Sequence, residues 1–272
     1  MHGTQAFFRK CDLRPKVTAP AFSYNPGWLK QGDAVVFHGG GNFGDLYAEY
    51  GMQALREYIV SSKPGNRIII LPQTIHFLSE QAMQRSARIF RRHLDVHFFV
   101  RDHASFQVAK RFTDHVYLLP DMAHHLYPIL PDSLSGGDGS LLISRTDSEK
   151  RETSAAFKHI ANTTDWPMLL GDRERHIESF RRGMQAMHKL GMGRAGNKML
   201  SGMWMDYSNG LLRKAISLFS SYENIITDRL HGHILACLMD KTNTVLDNTY
   251  GKNSAYVEAW TINSPLVSLK KS

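Results

Sequence analysis

Glu223-Asn224-Ile225-Ile226-Thr227-Asp228-Arg229-Leu230-His231-Gly232-His233-Ile234-Leu235-Ala236-Cys237-Leu238-Met239 carries the clearest fold signal in the chain. Residues 223–226 form a short strand-like run, and 234–239 an apolar helix-like run. The polar residues between them therefore sit in a strand-to-helix turn. In open α/β sheets, ligands bind in such turns, at the carboxyl ends of the strands. A guanidinium there forks onto a carboxylate or phosphate, and a neighbouring histidine moves a proton near neutral pH. Asp228 reads as the cap of the following helix. Taken alone, the stretch fits a capped helix with solvated basic neighbours equally well.

The same alternation extends outward. Residues 34–37, 67–71, 96–100 and 116–119 read as strands, and residues 46–59, 80–94 and 104–112 as helices. Arg67-Ile68-Ile69-Ile70-Leu71 is nearly all apolar, as in a parallel sheet covered on both faces. Residues 128–139 are rich in Pro, Gly and Ser and read as a linker. A second strand series follows at 140–144, 224–227 and 243–246, with helices at 211–219, 230–239 and 253–260. The expected architecture is α/β, with two Rossmann-like domains facing a cleft, at 1–130 and 140–272. Residues 147–205 are harder to read. Glu174–Leu190 looks helical, with Ile177, Phe180, Met184 and Met187 on one face and a basic opposite face. Such a helix suits either a solvated domain surface or peripheral contact with an anionic membrane.

The 272 residues, 42% hydrophobic and 21% charged, fit a soluble globular protein of one large or two ordinary domains. No apolar run is long enough to span a bilayer, and the N-terminus lacks a signal-peptide core. Only Cys11 and Cys237 are present, so a disulfide framework is not expected and a cytoplasmic setting is the default. The net charge of +8 favours anionic partners. Scattered basic residues without zinc-finger or RNA-binding signatures argue against nucleic acid.

Nearly every strand ends in ligand-type residues. Phe37-His38-Gly39-Gly40-Gly41-Asn42-Phe43-Gly44-Asp45 reads as a strand-to-helix turn. Its glycines allow close backbone approach, which makes Gly40, Gly41 and Asn42 candidate ligand contacts, with Asp45 as a helix cap. The stretch matches neither a Walker A loop nor a dinucleotide fingerprint. Gln73, in Leu71-Pro72-Gln73-Thr74, offers an amide suited to a sugar. Arg101 is the first charge after an apolar strand and is read as an anion ligand, whereas Asp102 or Ser105 caps the next helix. Asp121 repeats the pattern. Arg145 ends the strand at 140–144, and Lys252 lies between a strand and a helix, where a phosphate would be favoured. His124 and His125 lack a partner at metal-ligand spacing, so no metal is expected.

Taken in order, GGGNFGDL, PQTIHF, VRDHAS, LLPDMAHHL, ISRTDSE, TDRLHGHILACL and LDNTYGKNSAYVEAW resemble the polysaccharide pyruvyl transferases from about Asp33 to Trp260. The resemblance implies two domains arranged as in GT-B glycosyltransferases. It also implies phosphoenolpyruvate as donor, with no further cofactor. The product would be a pyruvate ketal on a sugar of an exopolysaccharide or its lipid-linked precursor. Arg101, Arg229, Leu230 and His231 match donor-site positions, with Arg145 and Lys252 as further anion contacts. His231 would then be the general acid, and Asp121 or His38 the base toward a sugar hydroxyl. Similar proteins have an initial strand-helix unit. The first convincing strand here starts near residue 34, so that unit is expected to be absent or reduced. Two other readings stay open: a GT-B-like glycosyltransferase using a nucleotide sugar, and a non-enzymatic basic module docked on a membrane or synthesis complex.

Overall fold

The computed structural model describes residues 1–46, 51–130, 137–147, 157, 160–171, 173–190, 192–247 and 251–270. Contacts gather the chain into two units, Met1–Arg14 with Asn25–His125, and Pro15–Tyr24 with Leu126–Ser272. The change of unit at 125–126 precedes the stretch read as a linker, of which residues 131–136 lie outside the described residues. Pro15–Tyr24 packs with the second unit although the sequence placed it in the first. Ser23 Oγ donates to Asn197 Oδ1 at 3.1 Å, and the Asn197 amide donates to the Thr18 carbonyl.

The first unit begins with helix α1 (His2–Lys10), which the sequence did not announce. Its strands are β1 (Val35–Phe37), β2 (Gly40–Gly44), β3 (Ile68–His76), β4 (Val96–Val100) and β5 (His115–Leu118). All pairings are parallel, in the order β1-β3-β4-β5, with β2 also on β3. Helices α2 (Met52–Ser62), α3 (Glu80–Arg91) and α4 (His103–Ala109) connect them. Each crossover advances to the next strand in one direction, and right-handed crossovers of that kind place their helices on one face. The side chains agree. Phe43 of β2 packs against Phe98 of β4, Phe90 of α3 and Phe112 after α4, with centroids 4.7, 5.6 and 5.4 Å apart. The Arg56 guanidinium of α2 lies 5.2 Å from the Phe43 ring centre. The opposite face carries Val36, Ile69, His97, Phe99 and Tyr117, paired across the strands in register.

Two expectations fail here for backbone reasons. The glycine-rich stretch is a strand, not a turn, and the helix read at 46–59 runs Met52–Ser62 behind an αL Gly51. Residues 47–50 lie outside the described residues. Gly44 has φ +126°, and a Cβ there would lie 1.7 Å from the His76 carbonyl oxygen; one at Gly39 would lie 2.3 Å from that of Pro72. The glycines admit strand β3 at close range. Asp45 does not cap a helix; its carboxylate accepts from the Leu78 amide at 2.6 Å. Strand β3 also runs on through Pro72, which a bulge accommodates: the pairing with β4 shifts register between Ile70 and Gln73. In α3, Met83, Ala87 and Phe90 are buried as their spacing predicts, whereas Leu94 lies beyond the helix and is 90% exposed.

The second unit has strands β6 (Ser140–Ile143), β7 (Thr163–Thr164), β8 (Asn224–Thr227), β9 (Thr242–Leu246) and β10 (Val267–Lys270). They form a second parallel sheet in the order β10-β9-β8-β6-β7. Helices α5 (Trp166–Leu170), α6 (Arg173–Lys189) and α7 (Gly193–Ser220) intervene between β7 and β8. Helices α8 (Leu230–Leu238) and α9 (Lys252–Trp260) follow β8 and β9. The core joins Leu141 and Ile143 of β6, Ile225 of β8, Ala215 and Phe219 of α7, and Leu235 and Ala236 of α8. Met184 of α6 is buried, and Met187 rests on Gly196 of α7, so these methionines serve internal packing. Among the described residues no helix is long and apolar enough to cross a membrane.

The order of this sheet decides where a ligand fits. The chain leaves β6 toward β7 on one side and leaves β8 toward β9 on the other. Neighbouring strands β6 and β8 thus form a topological switch point, where a crevice opens at the strands' carboxyl ends. The first sheet, wound in one direction, has no such point among its described strands.

Candidate functional site

At the switch point the chain places Arg145, two residues past β6, beside Asp228 and Arg229, which directly follow β8. The Arg145 amide donates to both Asp228 carboxylate oxygens at 2.8 and 3.1 Å. Asp228 therefore ties the two strand ends together and is not the helix cap the sequence suggested. Position N-cap of α8 belongs to Arg229, whose side chain makes no capping bond. Burial raises the Asp228 carboxyl above its usual value, despite the Arg145 amide and the nearby guanidinium groups.

Both guanidinium groups are forked onto carboxylates. Arg145 donates through Nε and Nη2 to Asp147 at 2.8 and 3.1 Å. Arg229 donates through Nε and Nη2 to Asp165 at 2.8 and 2.6 Å, and through Nη1 to Asp147 at 2.8 Å. Asp165 also accepts from the Thr146 amide and hydroxyl at 2.9 and 2.8 Å and caps α5 through the Trp166 amide at 2.7 Å. Burial raises the carboxyls of Asp165 and Asp147. Hydrogen bonds and charge from the arginines outweigh it and hold both below the usual range. Conversely, burial lowers Arg229, but Asp165 and Asp147 more than reverse it.

Solvent access separates the two acidic partners. The Asp165 side chain is 0% exposed and that of Arg229 12%, whereas Asp147 is 43% exposed. Asp165 is the fixed anchor of Arg229. Asp147 is an outward carboxylate shared by both arginines.

The rest of the Thr227–His233 motif explains the turn. Thr227 Oγ1 accepts from the Arg229 amide at 2.9 Å. A Cβ on Gly232 would lie 2.7 Å from that oxygen, so glycine lets the start of α8 close onto the strand end. Leu230 is buried, and its side chain seats the turn in the core. His231, on the first turn of α8, is exposed beside Arg229. His233 is fully buried, with Nδ1 2.7 Å from Asn243 Oδ1 and Nε2 2.9 Å from Thr261 Oγ1, and is structural. Lys252 starts α9 behind αL Gly251 and is half-buried. Asn253, unremarked in the sequence, braces the turn by donating to the carbonyls of Asp228 and Leu246 at 2.6 and 2.9 Å.

Several candidates in the first unit bond to one another or to neighbours in that unit. Arg101 is fully buried, donating to Thr74 Oγ1 at 2.9 Å and to Asp121 Oδ2 at 2.5 Å. Asp121 also accepts from the Ala123 amide at 3.0 Å. The Asp121 carboxylate is thus held between a guanidinium and a backbone amide. Arg101 is a buried tie across strand ends. Asp102 caps α4 through the Ser105 amide at 2.7 Å. Asn42 is turned toward Arg56, which donates to its carbonyl and side-chain oxygens at 2.9 and 2.8 Å, and Gln73 donates to it at 3.1 Å. Burial pushes Arg56 down to about 10. Gly40 pairs with Gln73 in the sheet, with Gly41 next in the same strand. His38 is exposed at the break between β1 and β2, 3.5 Å from Thr4 Oγ1. Among the described residues no group of three His, Cys, Asp or Glu side chains is placed to hold a metal.

Asp147 and Asp165 were missed in the sequence. Asp165 has a local signal, since Asp-Trp-Pro places a capping residue before a proline in a helix's first turn.

The profile of the polysaccharide pyruvyl transferases matches residues 1–250. "Putative pyruvyl transferase EpsO" of Bacillus subtilis is 39% identical over 265 residues, covering 96% of this chain and 80% of that protein. "Pyruvyl transferase 1" of Schizosaccharomyces pombe is 28% identical over 246 residues, covering 84% of this chain and 54% of that one. Among solved structures, a functionally uncharacterised Klebsiella pneumoniae protein aligns over 99% of this chain and 86% of its own, with a TM-score of 0.60 at 18% identity. That likeness supports the fold. With the profile spanning most of the chain, this protein belongs to the polysaccharide pyruvyl transferase family.

Proposed function

We propose that the protein transfers the enolpyruvyl group of phosphoenolpyruvate to a sugar of a polysaccharide or its lipid-linked precursor, forming a pyruvate ketal. The observation that carries this reading is the arginine pair at the switch point of the second sheet, closed over an outward carboxylate. Phosphoenolpyruvate brings a carboxylate and a phosphate, and forked guanidinium groups suit both.

Exposed His231, beside Arg229, is the proton donor in this reading. A proton added to the donor's methylene carbon makes a methyl group and leaves C2 electrophilic. One sugar hydroxyl forms a bond to C2, and the C2–O bond to phosphate breaks. A second hydroxyl of the same sugar then closes the ketal. Of the two hydroxyl protons, one balances the proton taken up by carbon and the other leaves with phosphate. Arg145 and Arg229 stabilise the charge that collects on the departing phosphate. Lys252 is a further anion contact.

The test is incubation with phosphoenolpyruvate and candidate glycans, free and lipid-linked, read by mass spectrometry and phosphate release. The expected result is a glycan heavier by one pyruvate ketal, with one phosphate released per transfer. Arg229→Lys should lose both. Transfer from a UDP-sugar in place of phosphoenolpyruvate would overturn the reading.

A further inference from the structure

We propose that Asp147 is a built-in occupant of the donor's anion place: it seats its carboxylate between Arg145 and Arg229 and must swing out before a donor anion binds. This rests on the donor reading above and adds a residue that sets donor affinity. Three observations support it. First, Asp147 is shared by both arginines, with Arg145 Nε on Oδ1 and Arg229 Nη1 on Oδ2, each at 2.8 Å. Second, the arginine side chains are 8% and 12% exposed while Asp147 is 43% exposed, so the carboxylate is the group a solvent-borne anion would meet. Third, Arg229 keeps its fork onto Asp165 when Asp147 departs, so the arginine that remains is already aimed.

The physical logic is charge exchange. Two guanidinium groups withdrawn from water need counter-charge. Asp147 provides it, and a ligand carboxylate or phosphate takes over the same hydrogen bonds on binding. Displacing a tethered occupant reduces apparent affinity by the fraction of time the place is free. If Asp147 sits there nine-tenths of the time or more, removing its charge should tighten binding by about tenfold or more. The same factor applies to every anion seated at that place.

The sign of the effect separates this role from a structural one. If Asp147 merely orients the arginines, its loss weakens anion binding; if it occupies their site, its loss strengthens it. Calorimetric titration of the full chain with phosphoenolpyruvate, inorganic phosphate and acetate, at fixed ionic strength, tests this. The expected result is that Asp147→Asn binds all three tighter by a common factor of about ten or more. Asp147→Glu, which keeps the charge, should stay close to the parent. Thermal melting of each variant confirms that it is folded. Unchanged or weaker binding by Asp147→Asn, or no binding of any anion to either protein, overturns the proposal. Tightening seen for phosphate and acetate, without binding of phosphoenolpyruvate, would uphold the role of Asp147 and sink the donor reading instead.

Discussion

Replacing Asp165 by Asn keeps the shape of the side chain and removes the charge that fixes Arg229. The Asp165 carboxylate receives five hydrogen bonds, two from the Arg229 fork, two from Thr146 and one from the Trp166 amide. It is 0% exposed, so water cannot replace what is lost. Breaking a buried ion pair by removing one partner costs about 3–5 kcal/mol. Arg229 retains Asp147, and an Asn still caps a helix, so the lower end, about 3–4 kcal/mol, is expected. For a domain of this size that lowers the melting temperature by roughly 6–16 °C. Urea unfolding followed by tryptophan fluorescence reads it directly, because Trp166 stacks parallel to Phe219 at 6.1 Å. The dependence on pH gives a second check. Asp165 is held below its ordinary value in the folded protein. Its contribution is therefore complete above the unfolded value, near 3.9, and is lost as pH falls through the folded value. Parent and variant should converge in acid. A loss under about 1 kcal/mol at neutral pH, or a gap that does not narrow on acidification, would refute the anchoring role.

Three further outcomes follow from the geometry. Gly232→Ala puts a methyl group 2.7 Å from Thr227 Oγ1 and should cost about 1–3 kcal/mol by calorimetry; no loss would mean α8 can lift off the strand end freely. Asp121→Asn removes a carboxylate charge from buried Arg101 and should destabilise by about 3–5 kcal/mol while leaving phosphoenolpyruvate affinity, measured by titration, within twofold or so. A large affinity loss would return Arg101 to the donor site. His231→Gln should bind phosphoenolpyruvate like the parent but turn over roughly 100- to 10,000-fold more slowly; parent-like turnover would remove His231 as the acid.

The sequence was most legible where a local pattern had one physical meaning. Asn224–Thr227 and the helix after it were placed to within a residue or two, because an apolar run broken by Thr-Asp-Arg admits few other structures. It was least legible where one signal serves two purposes. Glycines at 39 and 44 announce a close backbone approach, but the sequence does not say to what. Here the neighbour is β3, with carbonyl oxygens 2.3 and 1.7 Å from where Cβ atoms would stand. Helix α7, 28 residues long, was read only over its last third, because Gly193, Gly196, Gly202 and Gly210 blur its periodicity. Gly196 is nonetheless required where Met187 presses on it.

Arg101 and Arg229 show why the site itself resists local reading. Each follows an apolar strand, each is near an aspartate in sequence, and both were read as anion ligands. Neither makes its decisive pair with that neighbour. Asp102 turns to Thr74 and the Ser105 amide, and Arg101 pairs with Asp121, 20 residues on. Asp228 turns to the Arg145 amide, and Arg229 pairs with Asp165 and Asp147, which are 64 and 82 residues away. What separates a structural arginine from a ligand-ready one is whether the last carboxylate on it reaches water. Asp121 is 9% exposed at its side chain and Asp147 is 43% exposed. The two carboxylates have different surroundings. In the first unit, α1 lies against the segment after Asp121, with Gly3 packed on the Met122 carbonyl. In the second sheet the strands following β6 and β8 lie on opposite sides of that pair, and Asp147 stands exposed beside their ends. The proposed exchange of an anion therefore concerns Arg229, although the two arginines look alike along the chain.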